Sequence, residues 1–437
     1  MTKARLDSLT MLILGSFFFV AIGVAMELTN RLGMTDFQEL YYGSRTVAQH
    51  HDPYQPDDVE AVYRAQEGSL PDDSGVSHTK RLIVFVCSNL PTTLLLVAPL
   101  AALPWKVAVA LWMSLIAAAF IFACFQIWGL GVESAPLLYG GLIALLLINS
   151  GLLLCAGNPA GLVVSLSVIA VCCFLRNRFV LLGVLCLAIA LAMKPHDAGP
   201  VWLYFLLAGG VHRRRALQVL VWTAVLAVVA VFWLSHSAPH WPQEYHANLH
   251  AAMSSGGRDN PGPTTQGGRG IGQVISLQAI LSLIWDNPWF YNLTTWLLCG
   301  PLILVWCIRT LRVAFSPRMA WLAFAAISAL AMVPFYHRTY DARLLLLAVP
   351  ACAMMWNERG ASGRSALGLT LAAIVLTGDL FWVVLFQITH YSGASVVFGM
   401  IPAPLILLAA GVFYLWIYLK PPPDRAASTQ SPSQSLC

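Results

Sequence analysis

Charge is what this chain has least of. Only 10% of its 437 residues are Asp, Glu, Lys or Arg, against roughly 25% in a soluble globular domain, and 58% are hydrophobic. A water-soluble fold is therefore excluded. No CxxC pair occurs among the ten cysteines, and nine of them (Cys87, Cys124, Cys155, Cys172, Cys173, Cys186, Cys299, Cys307 and Cys352) fall inside apolar runs. Such cysteines behave as small buried apolar side chains, so neither a zinc or dithiol motif nor a disulfide framework is expected. The GxxxxGK[ST] order of a phosphate loop is missing, and no 20–50-residue repeat is evident, which removes the sign of an inverted-repeat transporter. The formal charge of +5 does not point to nucleic acid, because Lys and Arg concentrate in short loops.

What the chain does have is a succession of apolar runs of about 18 residues or more, each long enough to cross a hydrocarbon core of roughly 30 Å as a helix. The reading is an all-α polytopic membrane protein with about twelve transmembrane helices, give or take one. It forms a single domain over 1–419, followed by a Pro/Ser-rich tail at 420–437 expected to be disordered and cytoplasmic. Leu9 to Met26 follows a basic start (Lys3, Arg5), is long for a cleaved leader and lacks a following A-x-A site, so a retained anchor is expected. The basic clusters Arg176–Arg178, His212–Arg215, Arg309–Arg318, Asn357–Arg364 and the tail from Lys420 read as cytoplasmic. The segments between them then face outward: the first loop, 28–81, with interfacial helices; "KPHD" (Lys194–Asp197); the long loop 235–288; "YHRTYDAR" (Tyr336–Arg343); and "THYSGAS" (Thr389–Ser395). Before Arg176, four apolar runs stand where an odd number of crossings is required. One of them should be broken, re-entrant or interfacial, and "CAGNPAG" (Cys155–Gly161) is the expected place.

This assignment gathers Asp36, Lys194, His196, Asp197, His337, Arg338, Asp341 and Arg343 at one face. Carboxylates and cations beside an apolar wall suit a reaction between a polar acceptor and a lipid phosphate, with a carboxylate as general base and cations on the leaving phosphate. Structural readings stand beside the chemical one. Asp36 and Glu39 have capping-box spacing, Lys194 closes a span where a cation meets the negative helix end, and Asp197 and Asp341 can each open a helix as N-caps. His246 and His250 have i,i+4 metal-ligand spacing, although exposed histidines of this kind are common without a metal. Ser254–Gly270 reads as a mobile Gly-rich loop able to close over substrate, and "NLT" at Asn292 is a sequon set against a span.

In order along the chain, the Asp of "MTDFQELYYGSRTVAQHHDPYQP", the "CAGNPAGLVVSLSVIAVCC" turn, the "KPHD" turn of "LLGVLCLAIALAMKPHDAGPVWLYFLLAGGVHRRR" and the late "VPFYHRTYDARLLLLAVPA" resemble glycosyltransferase family 87, from about residue 10 to about 420. These are polytopic GT-C glycosyltransferases similar to polyprenyl-phosphate-mannose-dependent mannosyltransferases. The resemblance implies a GT-C fold and an inverting transfer of a sugar, mannose by this likeness, from a polyprenyl-phosphate donor. Asp36 would be the general base, and Lys194, His337, Arg338 and Arg343 the cations on the donor phosphate. Glu39, His196, Asp197, Tyr340 and Asp341 are left as candidates for holding acceptor or sugar. No cofactor or metal is implied. The implied partners are the lipid-linked donor, a lipid or glycan acceptor and membrane lipid, with the active site on the extracytoplasmic face of the cytoplasmic membrane. A lipid-linked-sugar flippase or a lipid-linked glycan ligase are the alternatives. In a flippase the charges would recognise a head group only, and would be expected along the pathway rather than at one face.

Overall fold

The first apolar run forms one continuous helix, Lys3–Thr29, about 40 Å long at 1.5 Å per residue. It lies against Pro136–Ala156 so closely that a Cβ on Gly15 would stand 2.8 Å from the Ala144 backbone. A polar pin holds the same pair at one end, where the Ser8 hydroxyl donates to the Pro136 carbonyl at 2.6 Å and accepts from the Trp128 indole at 2.8 Å. The structure, a computed structural model, describes residues 2–30, 33–68, 74–255, 257–262, 274–388 and 399–420. The tail from 421, the Thr389–Ser395 loop and the 263–270 part of the Gly-rich segment lie outside these described residues.

Among the described residues, six helices are long and apolar enough to span a membrane: Lys3–Thr29, Trp105–Gly131, Pro136–Ala156, Gly210–Ser237, Pro288–Arg312 and Pro402–Leu419. Ala361–Leu376 and Asp379–Leu385, bent by 60° at their junction, make a seventh if taken as one span. Four further apolar helices are shorter: Pro91–Ala101, Ala160–Leu175, Val180–Met193 and Pro317–Leu330. Large apolar side chains on the long helices face outward, including Phe17, Val228, Phe232, Leu297 and Leu304. That is how a helix meets lipid rather than water. The chain is a multi-pass, nearly all-helical membrane protein. Its β-structure among the described residues is one isolated antiparallel bridge, Val274 to Arg338.

The interruption expected at Cys155–Gly161 is present. Leu152–Ala156 ends at Gly157, which sits at φ +65°, and Ala160–Leu175 starts three residues later. Only glycine suits this turn, because a Cβ there would also stand 2.7 Å from the Phe37 Cβ. A second break, at Asn149–Gly151, divides the preceding span. The segment after the first span folds into three helices, Thr35–Ala48, Pro56–Glu67 and Ser74–Ile83. Phe37 fixes the first of them by stacking on Trp112 at 5.0 Å and Trp105 at 5.6 Å.

Candidate functional site

Met34, in the left-handed region at φ +58°, opens the Thr35–Ala48 helix, and its N–H donates to the Cys155 carbonyl at 2.7 Å. Asp36 is therefore already inside the helix, and no side chain caps the N-terminus. The capping reading of Asp36 and Glu39 is corrected: both side chains turn to distant partners. Asn158 Nδ2 donates to Asp36 Oδ2 at 2.6 Å, while Asn158 Oδ1 accepts from the Ala160 N–H at 2.8 Å. The broken-helix turn thus holds the Asp36 carboxylate. Glu39 is buried and accepts from the Ser88 N–H at 2.8 Å and from both Nη atoms of Arg258 at 3.1 and 3.2 Å. Arg258 also donates to the Ile83 carbonyl at 2.6 Å and to the Ser88 hydroxyl. Burial works against the Arg258 charge, but Glu39 and Asp259 outweigh it and hold the guanidinium above its ordinary pKa.

These residues open on a cavity of about 370 Å³, within the roughly 300–1,000 Å³ of small-molecule sites. Asp36, Glu39 and Asn158 lie on its wall, as do Lys194, His196, Arg258, Asp259, Tyr336, Arg338, Tyr340 and Asp341. Asp36 is near enough to Arg338 and Tyr340 to act electrostatically on both. Lys194 Nζ lies 3.0 Å from Asp197 Oδ2, pairs with Asp341 as well, and sits 5.1 Å from the centre of the Tyr340 ring. Arg338 donates through Nε to the Tyr336 hydroxyl and through Nη2 to the Arg258 carbonyl at 3.1 Å, and faces Asp259 Oδ1 at 3.5 Å.

Asp197 and Asp341 share one lysine, and their surroundings separate them. Burial opposes both charges, but Lys194, His196 and His337 hold Asp197 well below the usual carboxylate range. Burial and the Asp197 charge push Asp341 up to about 6, against the pull of Lys194. Neither aspartate is an N-cap. Asp197 is third in the Pro195–Leu207 helix, and Asp341, in the 3₁₀ helix Thr339–Ala348, accepts from the Arg338 N–H at 2.8 Å.

Three sequence-predicted site residues do not line the cavity. His337 is buried, its Nε2 3.2 Å from Asp197 Oδ1 and its Nδ1 3.3 Å from the Phe335 carbonyl. Asp197 lies behind Lys194 as the shared partner of Lys194 and His337. Arg343, 1% exposed, donates to the carbonyls of Asn149 (2.6 Å), Thr377 (2.7 Å) and Thr339 (2.9 Å). Its guanidinium is spent on backbone, which corrects its assignment to the donor phosphate. His196, Asp197 and His337 bring potential metal-ligand atoms within 4.8 Å of one another. The Lys194 ammonium, 3.0 Å from Asp197, opposes a cation there, so the donor set does not fit a metal. His246 and His250 belong to no such cluster among the described residues.

Sequence reading missed Arg258, Asp259, Ser88 and Tyr336. The one available signal was "RDN", a charged pair with Asn set inside Gly and Pro. Its described part is anchored rather than free: the Asp259 N–H donates to the Ala252 carbonyl at 2.9 Å, and Asn260 Nδ2 donates to Met253 at 3.0 Å.

A polar, carboxylate- and cation-lined cavity at one end of an apolar helical bundle defines a membrane protein with a transferase-type site. The chain belongs to glycosyltransferase family 87, whose sequence profile matches residues 89–334, more than half its length. It is therefore a membrane glycosyltransferase. The matched stretch contains Asn158, Lys194, Asp197 and Arg258, and lies between Asp36 and the His337–Asp341 loop. No curated protein and no solved structure matches the chain.

Proposed function

We propose that the protein moves a sugar, mannose by its resemblance, from a polyprenyl-phosphate donor to a lipid or glycan acceptor on the extracytoplasmic face, with inversion. The observation that carries this reading is Asp36, oriented by Asn158, on the same cavity wall system as Arg338 and Lys194. Asp36 accepts the proton of the acceptor hydroxyl as that oxygen attacks the anomeric carbon. The bond from that carbon to the phosphate oxygen breaks, and polyprenyl phosphate leaves as a dianion toward Arg338 and Lys194. Glu39 acts at one remove, by pinning Arg258 and its loop against the cavity. Tyr340, His196 and Asp341 remain the groups that can meet the acceptor or the sugar hydroxyls.

The test is Asp36→Asn in full-length reconstituted protein, supplied with polyprenyl-phosphate mannose and a membrane lipid extract, with products read by mass spectrometry. An Asn oxygen still accepts from Asn158, so the fold and the elution profile are expected to be kept. Turnover is expected to fall by at least about a hundredfold, the usual worth of a general base. Near-normal turnover of Asp36→Asn overturns the assignment.

A further inference from the structure

The Ala160–Leu175 helix has a cavity at each end. Asn158 and Pro159, just before it, line the first. Cys172 and Arg176, at its other end, line a second of about 300 Å³. The helix separating Pro159 from Arg176 is 16 residues, about 24 Å, long. The second cavity has different chemistry. Phe122, Phe179 and Leu182 form its apolar wall, and Arg176 and Arg178 its polar edge. All three apolar residues are half or more exposed or close to it, at 49%, 70% and 49%. Phe122 belongs to the span-length helix Trp105–Gly131, so the groove opens where lipid chains would lie.

The arginines are held in place but not neutralised. Arg176 donates to the Gln126 side-chain oxygen at 2.7 Å and its carbonyl at 3.3 Å, and Arg178 lies over the Phe179 ring at 5.6 Å. Neither meets a carboxylate among the described residues. Their turn is rigidly specified: Asn177 and Phe179 both sit at φ +52°. Arg215 reaches across to donate to the Phe174 carbonyl at 2.9 Å and to the Asn177 side chain. A left-handed non-glycine pair persists only where its surroundings fix it, and here the result is two guanidinium groups presented beside an apolar groove.

We propose that this groove binds an anionic phospholipid, with one acyl chain against Phe122 and Leu182 and the headgroup phosphate between Arg176 and Arg178. A planar guanidinium grips two phosphate oxygens, and basic pockets between transmembrane helices suit anionic headgroups. The proposal is independent of the sugar chemistry at the other end of the helix.

The experiment is native mass spectrometry of the detergent-purified full chain, titrated with phosphatidylglycerol and, separately, phosphatidylcholine. Wild type is expected to prefer phosphatidylglycerol. Arg176→Gln with Arg178→Gln should weaken its binding about thirtyfold, taking about 1 kcal/mol per basic residue, and should erase the preference. The paired lysine substitutions should retain most of it. Leu182→Trp, which fills the groove and leaves both charges, should also lose the lipid. Arg213→Gln with Arg214→Gln, on the neighbouring basic turn, should change nothing. The proposal is overturned if the glutamine pair keeps the preference, if the Arg213/Arg214 pair loses as much, if Leu182→Trp binds normally, or if inorganic phosphate displaces the lipid completely.

Discussion

Arg338 is the cavity cation with the loosest acidic partner, Asp259 at 3.5 Å, whereas Lys194 is gripped by two aspartates. In Arg338→Lys the charge stays, but the fork that can hold two phosphate oxygens is lost. Single-turnover transfer is expected to fall about ten- to a hundredfold, the worth of one charge-assisted contact, with a smaller loss of donor affinity, because the phosphate gains charge only as the glycosidic bond breaks. Equal losses in both measurements would mean that the residue only holds the donor, as a flippase would require. The neighbouring His337 shows why adjacent charges in a loop need not share a role. Arg338 is extended, at φ −110° and ψ 169°, a conformation in which neighbouring side chains point to opposite sides. One turns inward to Asp197 and the other toward the cavity. The sequence made the loop conspicuous, since charges are scarce, but not the side each residue takes. Arg258 escaped notice because its partner Glu39 is 219 positions away and the Gly- and Pro-rich sequence around it reads as a mobile loop.

Arg343 acts on elements rather than on substrate. It follows Tyr340 by one 3₁₀ turn, about 6 Å deeper along the axis. From there it ties the Asn149 break of one span and the Thr377 bend of another to the helix that carries Asp341. Arg343→Lys leaves some of these buried carbonyls without a donor. It should cost on the order of 3 kcal/mol of stability, seen as a lower thermal midpoint, while turnover per folded molecule stays within about twofold of wild type. Unchanged stability with lost turnover would restore the phosphate role read from the sequence. The long apolar helices were legible because unbroken hydropathy dictates them, and Gly-Asn-Pro correctly marked one interruption. The Asn149–Gly151 break was not legible: its Asn and Ser sit in an apolar run, and what pulls it open is a set of partners, Arg343 and Asp379, far along the chain.

Across the whole molecule, the cavity and the Arg176–Arg178 turn lie at opposite ends of the Ala160–Leu175 helix, the separation that the proposed orientation, with basic loops cytoplasmic, needs. In intact cells, a membrane-impermeant thiol reagent should label His196→Cys, whose side chain is 39% exposed, and should reach Arg213→Cys only after permeabilisation. Labelling of Arg213→Cys from outside would reverse the orientation and with it the proposed face of reaction. The pairing of charges around the cavity also bears on which molecules it refuses. Arg258, Lys194 and Arg338 each face a carboxylate before any ligand arrives, so the chamber offers little net attraction to a small anion diffusing in from water. A free phosphate would have to break an existing pair with nothing to offset the cost. A lipid-borne one arrives with its chain already dissolved in the bilayer, and that second attachment lets it compete. Selectivity for membrane-tethered donors over soluble ions would then come from the site's own internal neutrality.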